Sequence, residues 1–134
     1  MAKLPKPTDS ELGILQILWA QGACTVREVN DKLNENEEKE IGYTTTLKHM
    51  QIMFEKGLVS RSKSGKTHVY TAEVSEGDTQ NALLDRFIDK VFKGSATSLM
   101  LQALGRKKAS AEEIKEIKQI LKELDKDNGS DVSN

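Results

Sequence analysis

Apolar positions fall into short helical runs broken by polar signals. Leu12, Ile14, Leu15, Ile17, Leu18 and Trp19 make one broad apolar face, opened by a capping box at Thr8-Asp9-Ser10-Glu11 and closed at Gly22. Gly13 interrupts this helix at a cost of about 1 kcal/mol relative to Ala, and the close approach of another backbone is the expected reason. A second capping box, Thr25-Val26-Arg27-Glu28, opens a helix with Val26, Val29 and Leu33 on one side. A polar acidic connector, "NENEEKE" (34–40), shows no periodicity. Leu47, Met50, Met53 and Phe54 then return to helical spacing with Thr46 leaning inward, and Lys56-Gly57 ends the helix with a cation and a left-handed cap. Leu58–Arg61 and Thr67–Thr71 read as two short strands around a Ser62–Lys66 tip. Three helices followed by a hairpin is the order of a winged helix-turn-helix, so the expected fold class is mostly α with a small β-hairpin.

The pattern changes after Ser75. A helix with Leu83, Leu84, Phe87, Ile88, Val91 and Phe92 is broken by Gly94-Ser95. A second carries Leu99, Met100, Ala103 and Leu104, ending near Gly105. A third opens on the capping box Ser110-Ala111-Glu112-Glu113, and its Ile114, Ile117, Leu121 and Leu124 repeat as a coiled-coil-like seam. Three short helices hold too little core to be stable alone, and a second copy of the chain would bury the remaining faces. The expected division is a winged-helix head over 1–74, a helical dimerisation module over 75–127 and a flexible polar tail over 128–134. Leu83, Phe87, Val91, Leu99, Ile117, Leu121 and Leu124 are the expected dimer contacts.

Composition narrows the function. With 37% hydrophobic and 31% charged residues, the 134-residue chain reads as a folded, water-soluble protein. Its net charge of −1 is not that of a polybasic nucleic-acid binder, so charge has to be read locally. From Gly42 to His68 five cations (Lys48, Lys56, Arg61, Lys63, Lys66) face a single carboxylate, Glu55, which makes this stretch the basic patch. No apolar run is long enough for a membrane span and the N-terminus lacks a signal-peptide core, so a cytoplasmic location is expected. The single cysteine, Cys24, leaves no internal disulfide and reads as a small buried hydrophobe. His49 and His68 have no metal-type spacing to other ligands, and the sequence holds no nucleophile–base pair, phosphate-cradling glycine loop or paired carboxylates. No catalytic, metal or cofactor site is expected, and an enzyme is not.

The chemistry concentrates in "YTTTLKHMQIMFEKGLVSRSKSGKTHVY" (43–70). Thr44, Thr45 and Lys48 lie opposite the apolar stripe, with Tyr43 at the helix start and His49, Ile52 and Lys56 flanking. Threonine offers a donor, an acceptor and a methyl to a base edge, and its small size lets the backbone come close. Arg61, Lys63, Ser64 and Lys66 would set the hairpin against phosphate or the adjacent minor groove. Double-stranded DNA is the expected partner. The same faces are compatible with a winged-helix protein-interaction module, and a third class is an effector-binding regulator, although nothing marks a ligand pocket.

"PTDSELGILQILW", "TVREV", "YTTTLKHMQIMFEKGLVSR" and "GKTHVY" together resemble the penicillinase/methicillin-resistance repressor family (BlaI/MecI/CopY), over about residues 5 to 125. The resemblance implies a homodimeric transcriptional repressor with winged-helix heads on palindromic operators of TACA/TGTA-type half-sites, controlling resistance or copper-transport genes. It also implies, for the antibiotic branch, a membrane sensor-protease system and a cut within the dimerisation module; Gln102-Ala103 occupies that region, where an Asn-Phe pair is usual. The chain departs from the family at Thr46, where Val is frequent, and at Ile52, where Arg is frequent, which removes one phosphate contact. It lacks the C-terminal cysteine cluster of the copper-responsive branch.

Overall fold

A computed structural model describes residues 5–35, 39–105 and 109–132, with side chains as far as Asp127. The middle of the acidic connector, residues 36–38, lies outside the described residues. The chain divides into two compact units, Met1–Leu84 and Asp85–Asn134. That division falls inside a helix, whereas the composition changes earlier, at Ser75.

The first unit is built in the order α1 (Asp9–Gln21), β1 (Cys24–Thr25), α2 (Val26–Leu33), α3 (Tyr43–Lys56), β2 (Val59–Ser64) and β3 (Thr67–Ala72). Local chemistry sets these bounds. Thr8 and Thr25 each accept a hydrogen bond from the third helical N–H, while Glu11 and Glu28 return the favour to the cap backbone. Gly57 ends α3 at φ 82°, a left-handed conformation that costs a residue without Cβ nothing. Gly65, at φ 66°, opens the two-residue turn between β2 and β3.

The sheet has three strands in the order β1-β3-β2, all antiparallel. Val59 pairs with Ala72, Arg61 with Tyr70, Lys63 with His68, and Ser64 with Thr67. The sequence reading misses β1, in which Cys24 pairs with Tyr70 and Thr25 with Val69. Ile14, Leu15, Leu18, Val29, Met50, Met53, Leu58, Val59 and Tyr70 form the core, with Cys24 sealed among them. Each large side chain so buried contributes about 1.5–3 kcal/mol.

Three expectations change here. Phe54 is outside the core: it is 38% exposed, and the Arg61 guanidinium carbon lies 4.0 Å from its ring centroid. Gly13 meets no neighbouring backbone, since nothing lies within 4 Å of where its Cβ would stand. Lys56 does not stand free beside α3, because its Nζ donates to Glu11 Oε1 at 2.6 Å. Glu11, buried, also accepts the Thr8 N–H at 2.9 Å, so one carboxylate ties the start of α1 to the end of α3.

The chain leaves the sheet through Val74, whose carbonyl accepts the indole N–H of Trp19 at 2.9 Å. α4 (Glu76–Phe92) follows, with Ser75 Oγ accepting the Asp78 N–H. In the second unit come α5 (Ala96–Gly105) and α6 (Ala111–Val132). Ser110 and Glu113 exchange the two hydrogen bonds of a capping box at the start of α6. α6 runs past Asp127 into the polar C-terminal residues, as far as Val132. Among the described residues of this unit none is fully buried, and Phe87, Val91, Ile120, Leu121 and Leu124 are each about half exposed.

Candidate nucleic-acid interface

α3 presents two opposite faces. Thr46, Met50 and Met53 are fully buried and fix its rotation in the core. Tyr43, Thr44, Thr45 and Lys48 are exposed on the rest of its first turns, His49 is half-buried and Ile52 is 37% exposed. The N-cap is Gly42, with no side-chain cap hydrogen bond, so the first N–H groups of α3 are open to water or a ligand. Arg61, Lys63, Ser64 and Lys66 are exposed along the hairpin.

The angle between α2 and α3 is held by two amides, Asn30, which the sequence reading passes over, and Asn34, which it places in the polar connector. Asn30 is buried, and its Nδ2 donates to the Ile41 carbonyl at 3.0 Å and to Thr46 Oγ1 at 2.8 Å. Asn34 exchanges two hydrogen bonds with the backbone of Ile41, at 2.6 and 3.0 Å. Together they close the connector onto the C-terminal end of α2 and set where the first turn of α3 begins. Thr46 is therefore the acceptor of a buried amide, which accounts for a hydroxyl where an apolar side chain would otherwise pack.

The predicted contact residues do not form one pocket. Thr45 and His49 border a groove of about 400 Å³ with Gly13 and Ile14 of α1 and Leu33 of α2. Tyr43 and Lys66 border a separate cleft of about 420 Å³, which also takes in Arg27, Thr25, Thr67 and His68. Arg61 lies over the Phe54 ring, outside both. The sequence reading leaves Arg27 out, although its guanidinium carbon lies 5.0 Å from the Tyr43 ring centroid.

Among the described residues two groups have displaced acidities. Burial pushes the Glu11 carboxyl upward, but the Lys56 ammonium and the Thr8 N–H and hydroxyl outweigh it and hold the group below the usual carboxylate range. Burial raises the Cys24 thiol above its usual range, helped by the nearby Glu28 charge. Among the described residues no cluster of three or more ligand-type side chains is set to hold a metal. Nor, among them, is any helix long and apolar enough to cross a membrane.

Three helices, a short β1 and a two-stranded wing, with the third helix turned outward at its first turns, define a winged helix-turn-helix protein. The chain belongs to the penicillinase repressor family, whose sequence profile matches residues 7–123. It is similar to the penicillinase repressor of Bacillus licheniformis, at 29% identity over 127 residues, covering 92% of this chain and 94% of the relative. It is also similar to the methicillin resistance regulatory protein MecI of Staphylococcus aureus (strain N315), at 25% identity, covering 85% and 91%. Among solved structures, the DNA-binding domain of the repressor BlaI aligns with TM-score 0.50 and 26% identity, over 58% of this chain and 93% of that one. The hsRosR-S1 complex aligns with TM-score 0.53 at 18% identity, over 87% of this chain and 89% of its own, a likeness of fold alone.

Proposed function

We propose that this chain is a homodimeric transcriptional repressor that binds palindromic operator DNA through its winged-helix heads. The observation that carries the reading is the outward surface of α3, where Thr44, Thr45 and Lys48 stand exposed opposite a buried stripe with the cationic wing beside them. Helices of this kind enter the major groove by their N-terminal residues, while flanking cations hold phosphate. Family membership and the likeness to the BlaI DNA-binding domain support the same partner. In this reading Tyr43, Thr44, Thr45, Lys48, His49 and Ile52 approach base edges of TACA/TGTA-type half-sites, and Arg61, Lys63, Ser64 and Lys66 lie against the backbone.

Residues 1–74 serve as the reading head and residues 75–127 as the pairing module. The half-exposed Phe87, Val91, Leu121 and Leu124, in a unit with no fully buried described residue, support pairing with a second copy. Leu83, Leu99 and Ile117 are partly buried in the single chain and complete the proposed interface. A membrane sensor-protease system would release the repressor by a cut at Gln102-Ala103. That bond lies inside α5, so cleavage there requires the helix to open locally first. The test is equilibrium binding to an operator-type duplex across a salt series, where a steep fall in affinity supports DNA as the partner and a flat profile points to a protein partner instead.

A further inference from the structure

The cleft that contains Arg27 is built from three elements. Thr25 caps α2 and Arg27 lies in its first turn, the first turn of α3 supplies Tyr43, and the turn and first residues of β3 supply Lys66, Thr67 and His68. Its volume of about 420 Å³ has room for a phosphodiester with its flanking sugars. None of the residues lining it is acidic. Glu28, one residue beyond Arg27, turns its carboxylate to the Thr25 N–H at 2.8 Å and does not line the cleft. Arg27 forms no ion pair with any described residue. Its guanidinium is held 5.0 Å from the centroid of the Tyr43 ring, a cation–π contact that restricts a long side chain before any ligand arrives. Two cations, Arg27 and Lys66, and four hydroxyl-bearing residues thus line one cleft without a counter-ion, in a cleft that exists only once β3 has folded beside α2.

We propose that this cleft holds one backbone phosphate of the bound DNA, with Arg27 as its principal ligand and Lys66, Thr67 and His68 as supporting donors. The proposal rests on the DNA-binding reading and adds to it a site formed by α2. A phosphate suits the cleft better than a base edge because its charged lining is wholly cationic. Moreover Thr44, Thr45 and Lys48, the outward residues of α3, do not line it. A guanidinium fork matches two phosphate oxygens at once, which fixes the strand's position against the head without reading its sequence.

The experiment compares the full-length chain with Arg27→Gln and Arg27→Lys on an operator duplex and an unrelated duplex across a salt series. Thermal melts of each variant check that the fold is kept. The slope of log K against log salt should fall by about 0.9 in Arg27→Gln on both duplexes, leave the ratio between them unchanged, and largely recover in Arg27→Lys. A scan of single methylphosphonate substitutions should find one linkage per half-site whose neutralisation weakens the wild type and leaves Arg27→Gln unaffected. An unchanged slope in Arg27→Gln, or an equal methylphosphonate penalty in both proteins, overturns the cleft proposal while DNA binding stands. If the wild type binds neither duplex, the DNA reading fails and the cleft proposal with it. If inorganic phosphate shifts the Thr67 and His68 amide signals while Arg27→Gln keeps the DNA slope, the cleft is a free-anion site and the proposal is overturned.

Discussion

Glu11 shows how one side chain can carry three tasks. It completes the cap of α1, neutralises Lys56 and joins the two ends of the helical layer. Its carboxyl is held below the usual range in the folded head, so the stability it supplies is present above the unfolded-state acidity and is lost as pH falls through the lowered folded value. Glu11→Gln should therefore destabilise the protein by about 1–2 kcal/mol at neutral pH, and the gap to wild type should narrow in acid. Denaturant titrations at neutral and acidic pH check both parts; a gap that does not change with pH contradicts the assignment. Gly13 is the converse case, a residue with no visible duty. With nothing within 4 Å of its missing Cβ, Gly13→Ala should stabilise the head by about 0.5–1 kcal/mol, readable as a raised unfolding midpoint. No signal in the sequence distinguishes this glycine from one that permits a close approach, because the distinction lies in the neighbours.

At the scale of elements, the helices were legible because their signals are local. Capping boxes at Thr8, Thr25 and Ser110, and the glycine stop after Lys56, mark ends that the structure keeps. β1 was not legible, since two residues are too few to show alternation and Cys24–Thr25 becomes a strand only against β3. Asn30 and Asn34 were missed because a buried amide looks like a solvated one until its acceptors, Ile41 and Thr46, are brought beside it. Arg27 is illegible for the same reason, since α2 joins the basic stretch that begins at Gly42 only in space. The wing and α3 should separate by function. Thr45→Ala or Lys48→Ala should cost about 1–3 kcal/mol on the operator and relax one position of the site, whereas replacing Lys63 and Lys66 should weaken all duplexes alike and flatten the salt slope by roughly one unit per lost contact. Parallel titrations on operator and scrambled duplexes distinguish the two patterns. β2 is also one of the two edge strands of the sheet, and its Arg61 and Lys63 are the kind of charges that keep such an edge from pairing with another chain.

At the scale of the whole molecule, the first unit holds the buried core, whereas Phe87, Val91, Leu121 and Leu124 of the second remain about half exposed. Leu121→Glu should yield monomers in sedimentation while leaving the melting of the head intact; a dimer that survives the change places the pairing surface elsewhere. In the proposed dimer, two joined heads would meet the second half-site at high effective concentration, which would raise affinity by roughly 10²–10⁴ over one head alone. Half-sites about one helical turn apart are the spacing such a pair can bridge. The most direct test of the central claim is a competition titration of the full-length chain between a duplex carrying an inverted TACA/TGTA repeat and a scrambled duplex of equal composition, repeated across a salt series. The account predicts two protomers on the repeat, preference for it over the scramble, and affinity that falls steeply with salt on both. Equal affinity for the two duplexes with no dependence on salt would contradict it.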